Sequence, residues 1–446
     1  MNTIKTIAIR ALNTWTIALF CSQAWANLPI ERISLPSGAQ VYVVSSMGIP
    51  MVDVQIDFDA GSRRDPAAMA GLASATSGQL SKAVLAYAGR PALDENQLGE
   101  AWADLGASFG ATAGDDRMSF ALRSLTYPDL LPKAVALAAQ QMASPAFSAA
   151  LWQRDADRIS ASIKEANTKP ATIAQRRFNT AVYSGHPYGN EMVEATLRSI
   201  TVDAMRGFYT SHVRACRAKV SIVGAVSKDS AQALATQLLA GLPQGGCDAS
   251  PVVPEVQPLK AAQNIAVPFE SAQAHVLMGQ PGYLRSDPDF FALLVGNHIL
   301  GGGGFTSRLT REVREKRGLT YSVYSYFSPG LHAGAFALGL QTRPDQAAQA
   351  VQVSRQVLAS FVADGPTEAE LQAAKDNLIG GFALRIDSNK KLLDNVANIA
   401  WVNLPLNYLQ DWTQRVGKIT AQDIKAALQR KLQPDKMVTV VVGAAN

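Results

Sequence analysis

Two residues seven apart, Arg314 and Tyr321 in the stretch REKRGLTY, carry the strongest chemical signal in this chain. A guanidinium is always charged and presents its donors in a fixed fork. A phenol donates to an oxygen on which negative charge develops. By themselves they also read as a solvated helix residue and a strand aromatic. Gly318 between them predicts a left-handed end to a helix, which turns the chain so that Tyr321 enters a strand. Upstream, Gly301, Gly302, Gly303 and Gly304 form a run that reads as a flexible loop before a helix; no Gly-Lys-Ser/Thr follows, so a phosphate cradle is not indicated. No serine sits in a Gly-x-Ser-x-Gly elbow. The histidines at 186, 212, 275, 298 and 332 show no metal-ligand spacing.

The elements that must position these residues come in two copies. Ile200-Thr201-Val202-Asp203 leads through a helix to the strand VSIVGAV, and Ile419-Thr420-Ala421-Gln422 leads through a helix to VTVVVGA, 219 residues on. FALRSLTYPD at Phe120 and FALGLQTRPD at Phe336 repeat at 216. A constant spacing across several element types indicates duplication of a domain of about 220 residues. The Gly- and Pro-rich stretch from Gly241 to Pro258 reads as the linker, giving domains at 27–250 and 251–446. Val52, Val54, Ile56 and Phe58 alternate with polar residues, which predicts a strand with one wet face. Thr367 and Glu370 form a capping box that opens a helix. Such strands with grouped helices predict α+β domains built on antiparallel sheets.

Residues 1–26 read as a secretory leader: Lys5 and Arg10, an apolar run through Trp15, Ile17, Leu19 and Phe20, then Ala24-Trp25-Ala26. The run is shorter than the about 18 residues a membrane span needs. Phe20 before Cys21 argues against a lipoprotein signal. Cleavage after Ala26 is expected, placing a bacterial chain of this kind in the periplasm. The formal charge of +5 falls to +3 with the loss of Lys5 and Arg10, too little to imply nucleic acid or an anionic membrane as partner. Cys216 and Cys247 remain, flanking a strand and the helix that runs back along it. They are expected to lie close, with a disulfide or two free thiols both open in an oxidising compartment.

From about residue 30 to the end the chain resembles the pitrilysin and insulinase metallopeptidases, most closely the short branch that contains the mitochondrial processing peptidases. The resemblance rests on GSRRDP from Gly61, LGASFGATAGDDRMSF from Leu105, YSGHPYG from Tyr183 and ILGGGGFTSRLTREVREKRGLTYSV from Ile299. It implies two homologous α+β domains forming half of a clam shell that closes on an extended peptide, and pairing with a homologous subunit.

The resemblance also exposes a gap. On the family's His-x-x-Glu-His helix, the two histidines fall here at Ser74 and Gly78 and the glutamate at Ser77; the third ligand falls at Ser162. Glu165 is three residues, about 300° of helix, out of register. Catalytic zinc needs about three imidazole, thiolate or carboxylate ligands and a base for its water, so no metal is expected in this chain. In some pairs of the branch one subunit holds the zinc motif and the other supplies an arginine and a tyrosine, matched here by Arg314 and Tyr321. The glycine-rich loop of the noncatalytic processing-peptidase subunit touches substrate, which implies the same for Gly301 to Gly304. His186, inside YSGHPYG, reads as a structural hydrogen-bonding residue. The expectation is therefore a zinc-less, substrate-binding subunit whose partner carries the zinc; the alternative is a proteolytically inactive peptide-binding or scaffold protein of the same fold.

Overall fold

The alternating stretch forms its strand, Met51–Phe58, but neither face is wet. Asp53 and Asp57 are buried beside Val52 and Val54. Each is paired with an arginine of the neighbouring strand: Arg123 Nε lies 2.6 Å from Asp53 and Arg117 Nη1 lies 3.0 Å from Asp57. The polar face is covered by a helix from the other half of the chain, so the alternation marks paired charges rather than solvent.

The computed structural model describes residues 29–444, Ala249 excepted; the expected leader lies outside them. The first sheet comprises β1 (Glu31–Ser34), β2 (Gln40–Ser45), β3 (Met51–Phe58), β4 (Ser108–Ala113), β5 (Met118–Leu125) and β6 (Lys219–Gly224) in the order β1-β2-β6-β3-β5-β4. The second comprises β7 (Gln263–Val267), β8 (Ala274–Pro281), β9 (Ser322–Phe327), β10 (Ala335–Thr342) and β11 (Val438–Val442) in the order β7-β11-β8-β10-β9. The second order is β2-β6-β3-β5-β4 written again. Pairing is antiparallel except for one pair in each sheet, β2 with β6 and β7 with β11. There the last strand of the domain returns to lie parallel to an early one.

The helices of the first half are α1 (Leu72–Gln79), α2 (Glu95–Asp104), α3 (Leu131–Ala143), α4 (Ala149–Ala166), α5 (Pro170–Val182), α6 (Glu194–Ser199), α7 (Val202–His212) and α8 (Lys228–Leu239). Those of the second are α9 (Phe290–Asn297), α10 (Ala347–Asp364), α11 (Glu368–Gly380), α12 (Asn389–Trp401), α13 (Tyr408–Lys418) and α14 (Ala421–Lys431). The starts of α5 and α12 are 219 residues apart, as are those of α7 and α14. No helix among the described residues is long and apolar enough to cross a membrane.

Each domain lends the other a helix. In the first, Val54, Ile56 and Phe120 pack with Ala134 of α3 and Met205 of α7 on one face of the sheet. On the opposite face, Tyr42, Val44 and Val223 join Val396 and Ala400 of α12. Reciprocally, α5 sets Ala174, Phe178 and Val182 against Leu277, Val438 and Val440 of the second sheet. The α12 carbonyl end is closed from the first domain, where Lys219 Nζ donates to the carbonyls of Ala400 (2.9 Å) and Trp401 (3.0 Å) and to Asn403 Oδ1 (3.0 Å). A cation there satisfies orphan carbonyls and meets the negative end of the helix dipole.

The chain crosses between the sheets after α8. Because α8 runs back along β6, its end returns to the strand's start, and Cys216 and Cys247 are bridged there with Cα atoms 6.0 Å apart. The closed loop spans 31 residues. In the chain-entropy account such closure stabilises by roughly 3 to 4 kcal/mol. The mature chain purified from an oxidising compartment should therefore show no free thiol under denaturing, non-reducing conditions. The double variant Cys216→Ser/Cys247→Ser should lower the unfolding midpoint in urea; two titratable thiols in the parent chain would contradict the bridge.

Candidate functional site

The Arg–Tyr element is built on β9, the edge strand of the second sheet. It begins with α9, whose Phe291, Leu293 and Val295 are buried. The helix does not end at the glycine run but widens into π-helical turns over His298–Gly302. The expected flexible loop is thus largely a helix, and the reason is packing. A Cβ on Gly301 would meet the Ser325 backbone nitrogen and Oγ at 2.5 Å, so only glycine lets this turn lie on β9. Asn297 fixes the contact, its Nδ2 donating to Ser325 O (3.1 Å) and its Oδ1 accepting from Ser325 Oγ (2.8 Å). Gly301 is buried, while Gly302, Gly303 and Gly304 stay at or near the surface.

The next helical segment, Thr310–Glu315, is again wide-turned. It is tied to α11 through Glu370, which accepts from Arg308 Nη2 (2.6 Å) and Nε (2.8 Å) and from Arg311 Nη2 (3.2 Å). Glu370 is also the capping-box residue that bonds the Thr367 N–H at 3.0 Å. Gly318 closes the segment with φ +60°, its N–H donating to Arg314 O (2.8 Å) while Leu319 N–H donates to Val313 O (3.0 Å). This is the left-handed cap the sequence predicts. Thr320 then bonds Gln341 O at 2.5 Å, which starts β9 and leaves Tyr321 86% exposed.

Arg314 is singled out by its lack of a carboxylate partner among the described residues. Arg308 and Arg311 pair with Glu370, and Lys316 and Arg317 pair with Glu312. Arg314, half-buried, instead stacks at 4.9 Å on Phe305, itself 72% exposed. Along β9, the rings of Tyr324 and Tyr326 stack 6.0 Å apart. An uncommitted guanidinium, an exposed phenol and an unpaired strand edge make a surface suited to an extended peptide.

The helix that lies on the family's His-x-x-Glu-His motif is α1. Asp65 caps the start of α1, accepting from Gly71 N–H (2.8 Å) and Ala73 N–H (2.9 Å), and burial pushes its carboxyl up to about 6. Ser74 and Gly78 are exposed, and Ser77 is buried with its Oγ donating to Ser74 O at 2.9 Å. Ser162 is exposed on α4, and Glu165 is bonded to Lys169 at 2.7 Å. The carboxylate that does face α1 is Asp155, which the sequence reading passed over. It lies seven residues before Ser162, two turns along the same face, and that spacing is the signal that would have found it. It accepts from Gln79 Nε2 at 2.8 Å, with Lys82 at 3.5 Å and Arg158 at 3.4 Å. With Arg154 also at 3.7 Å, an amide and three cations occupy the place where cationic zinc would need donors. No group of three or more His, Cys, Asp and Glu among the described residues is placed to hold a metal.

His186 is buried in the turn before Pro187, its Nδ1 accepting from Tyr188 N–H at 3.1 Å. Burial and the facing His332 ring, 5.0 Å away, push its pKa down.

Residues 40–196 match the family model described as insulinase (peptidase family M16), and residues 199–378 match the one described as the peptidase M16 inactive domain. The crystal structure of a peptidase M16 inactive domain from Pseudomonas fluorescens superimposes with a TM-score of 0.87 at 33% identity, over 94% of this chain and 98% of that one. The chain belongs to peptidase family M16. Among M16 relatives, an uncharacterized zinc protease of Mycobacterium leprae is 26% identical over 410 residues, 90% of this chain and 89% of that protein. One from Streptomyces coelicolor is 29% identical over 255 residues; the match spans about half of each, 55% of this chain and 54% of that protein. A Helicobacter pylori protein described as a non-peptidase homolog is 24% identical over 304 residues, 67% of this chain and 69% of that one. In this M16 chain Ser74, Ser77 and Gly78 stand where the sequence reading lays the His-x-x-Glu-His motif.

Glu370 gives the element a measurable acid sensitivity. Burial works against its charge, yet the bonds from Arg308 and Thr367 outweigh it and hold the carboxyl down at about 2. A depressed folded-state pKa stabilises above the unfolded value, 4.5, and that contribution fades as pH falls from there towards 2. Urea midpoints should therefore fall more steeply between pH 4.5 and 2.5 for the parent chain than for Glu370→Gln; equal slopes would show that the pair does not hold the element.

Proposed function

We propose that this chain is the substrate-binding, noncatalytic subunit of a heterodimeric zinc peptidase in the periplasm, its partner supplying the His-x-x-Glu-His motif. The observation that carries this reading is Arg314, held at a capped helix end without a carboxylate partner beside an almost fully exposed Tyr321. A guanidinium left unneutralised and a phenol left in solvent have no packing reason to be there. The serine and glycine at 74, 77, 78 and 162 support the division of labour. The leader sequence and the Cys216–Cys247 bridge support an exported, oxidising location.

In this reading Arg314 donates to a peptide carbonyl of the bound substrate and Tyr321 donates its phenolic proton to the oxygen that gains charge in the partner's active site. Gly302, Gly303 and Gly304 contact the peptide backbone, which glycine allows to approach closely. The two side chains need no refolding to act, because Gly318 and Thr320 already fix the chain on either side of the turn.

The chain alone should bind no stoichiometric zinc after metal-free purification and reloading, and should cleave no unfolded peptide; one tight zinc per chain with chelator-sensitive cleavage would overturn the assignment. Mixed with a homologue bearing the zinc motif from the same organism, it should restore activity. Arg314→Ala or Tyr321→Phe should then reduce turnover on the order of 10²-fold without dissociating the pair. Wild-type turnover by both variants would favour a scaffold of the same fold.

A further inference from the structure

A cavity of about 610 Å³ lies between the two domains, away from both Arg314 and α1. Its walls come from the β4–β5 turn of the first domain and, in the second, from residues 283–297, the β9–β10 turn and the end of α12. Most charges on those walls are already matched. Asp116 accepts from the Tyr188 hydroxyl at 2.6 Å and pairs with Arg63 at 3.1 Å, while Arg117 is held by Asp57 at 3.0 Å.

Two are not matched. Asp115, contributed by the first domain, has no cation within ion-pair reach among the described residues, and its one side-chain bond is a long one from Ser62 Oγ at 3.4 Å. Arg285, from the second domain, has no carboxylate; it donates to the Tyr408 hydroxyl at 2.8 Å and stacks on Phe290 at 3.7 Å. Tyr326 and Phe327 supply an apolar wall.

We propose that this cavity binds a short peptide with both termini free, its ammonium on Asp115, its carboxylate on Arg285, and an apolar side chain against Tyr326 and Phe327. The volume is that of a small-molecule site, apolar with a few convergent polar groups, and a guanidinium is matched to a carboxylate in both charge and geometry. Surrounding protein and the adjacent Asp116 push the Asp115 carboxyl above its ordinary range. A ligand ammonium relieves that penalty, which makes the free amine a recognition element. This site goes beyond the gripping element and needs neither a partner subunit nor turnover.

The test is calorimetric titration of the isolated mature chain with the dipeptide Ala-Phe, its N-acetylated form and its C-amidated form. Ala-Phe should bind with one-site stoichiometry, and blocking either terminus should weaken binding by about tenfold or more. Asp115→Asn, in an exposed turn, should weaken Ala-Phe to a similar degree and abolish its preference over the acetylated form, with the melting temperature unchanged. Acetylated, amidated Ala-Phe binding as tightly as the free dipeptide would overturn the proposal, as would the absence of saturable heat up to about 10 mM. The blocked ligands act on the parent chain, so a variant that folds poorly leaves the result decisive.

Discussion

A sheet has two faces, and in each domain of this protein one of them is covered by a helix from the other domain. The helices exchanged are α5 and α12: α12 lies on β3 and β6 while α5 lies on β8 and β11. The cost falls on the first sheet, whose covered face carries Asp57, Arg117 and Lys219. Charges out of water are expensive unless paired and hydrogen-bonded, and all three are: Arg117 with Asp57 and Asn398, Lys219 with the end of α12. Burial raises the Asp57 pKa, and Arg117, Ser119 and Gln55 oppose that rise. The network can be satisfied only when both halves of the chain are in place, which makes the pairing of the domains part of the fold.

That pairing decides what is left open. Helix α5 covers the middle of the second sheet and stops short of its edge, so β9 keeps one side unpaired and presents Tyr324 and Tyr326. An exposed edge invites unwanted strand pairing unless it is short, shielded or in use. Here it sits directly after Tyr321 and under the glycine-rich turn, where a bound peptide is its natural complement. The same pairing brings the β4–β5 turn against the β9–β10 turn, its counterpart in the duplicated unit, and encloses the cavity that holds Asp115 and Arg285.

In this M16 chain α1 is ordinary structure. Ser77 spends its hydroxyl on its own helix, and Asp155 accepts from Gln79 and is paired with Lys82, Arg154 and Arg158. Nothing in that arrangement strains the fold.

Residue identity and local spacing settled much of this from the sequence. The 219-residue repeat, the Thr367–Glu370 box, the Gly318 cap and the loss of His-x-x-Glu-His are all legible because each depends on residues within a few turns of one another or on a count along the chain. The tertiary structure decided the rest. Asp53 and Asp57 look solvent-facing in β3 because periodicity reports which residues share a face and says nothing of what covers it; the cover, α12, comes from the far end of the chain. The glycine run looks flexible until Ser325 of β9 is seen pressing on Gly301. Asp155 gains meaning only when α4 is laid beside α1, and the unmatched Asp115 and Arg285 only when two domains meet. In each case the deciding contact is nonlocal, and local sequence carries no record of it.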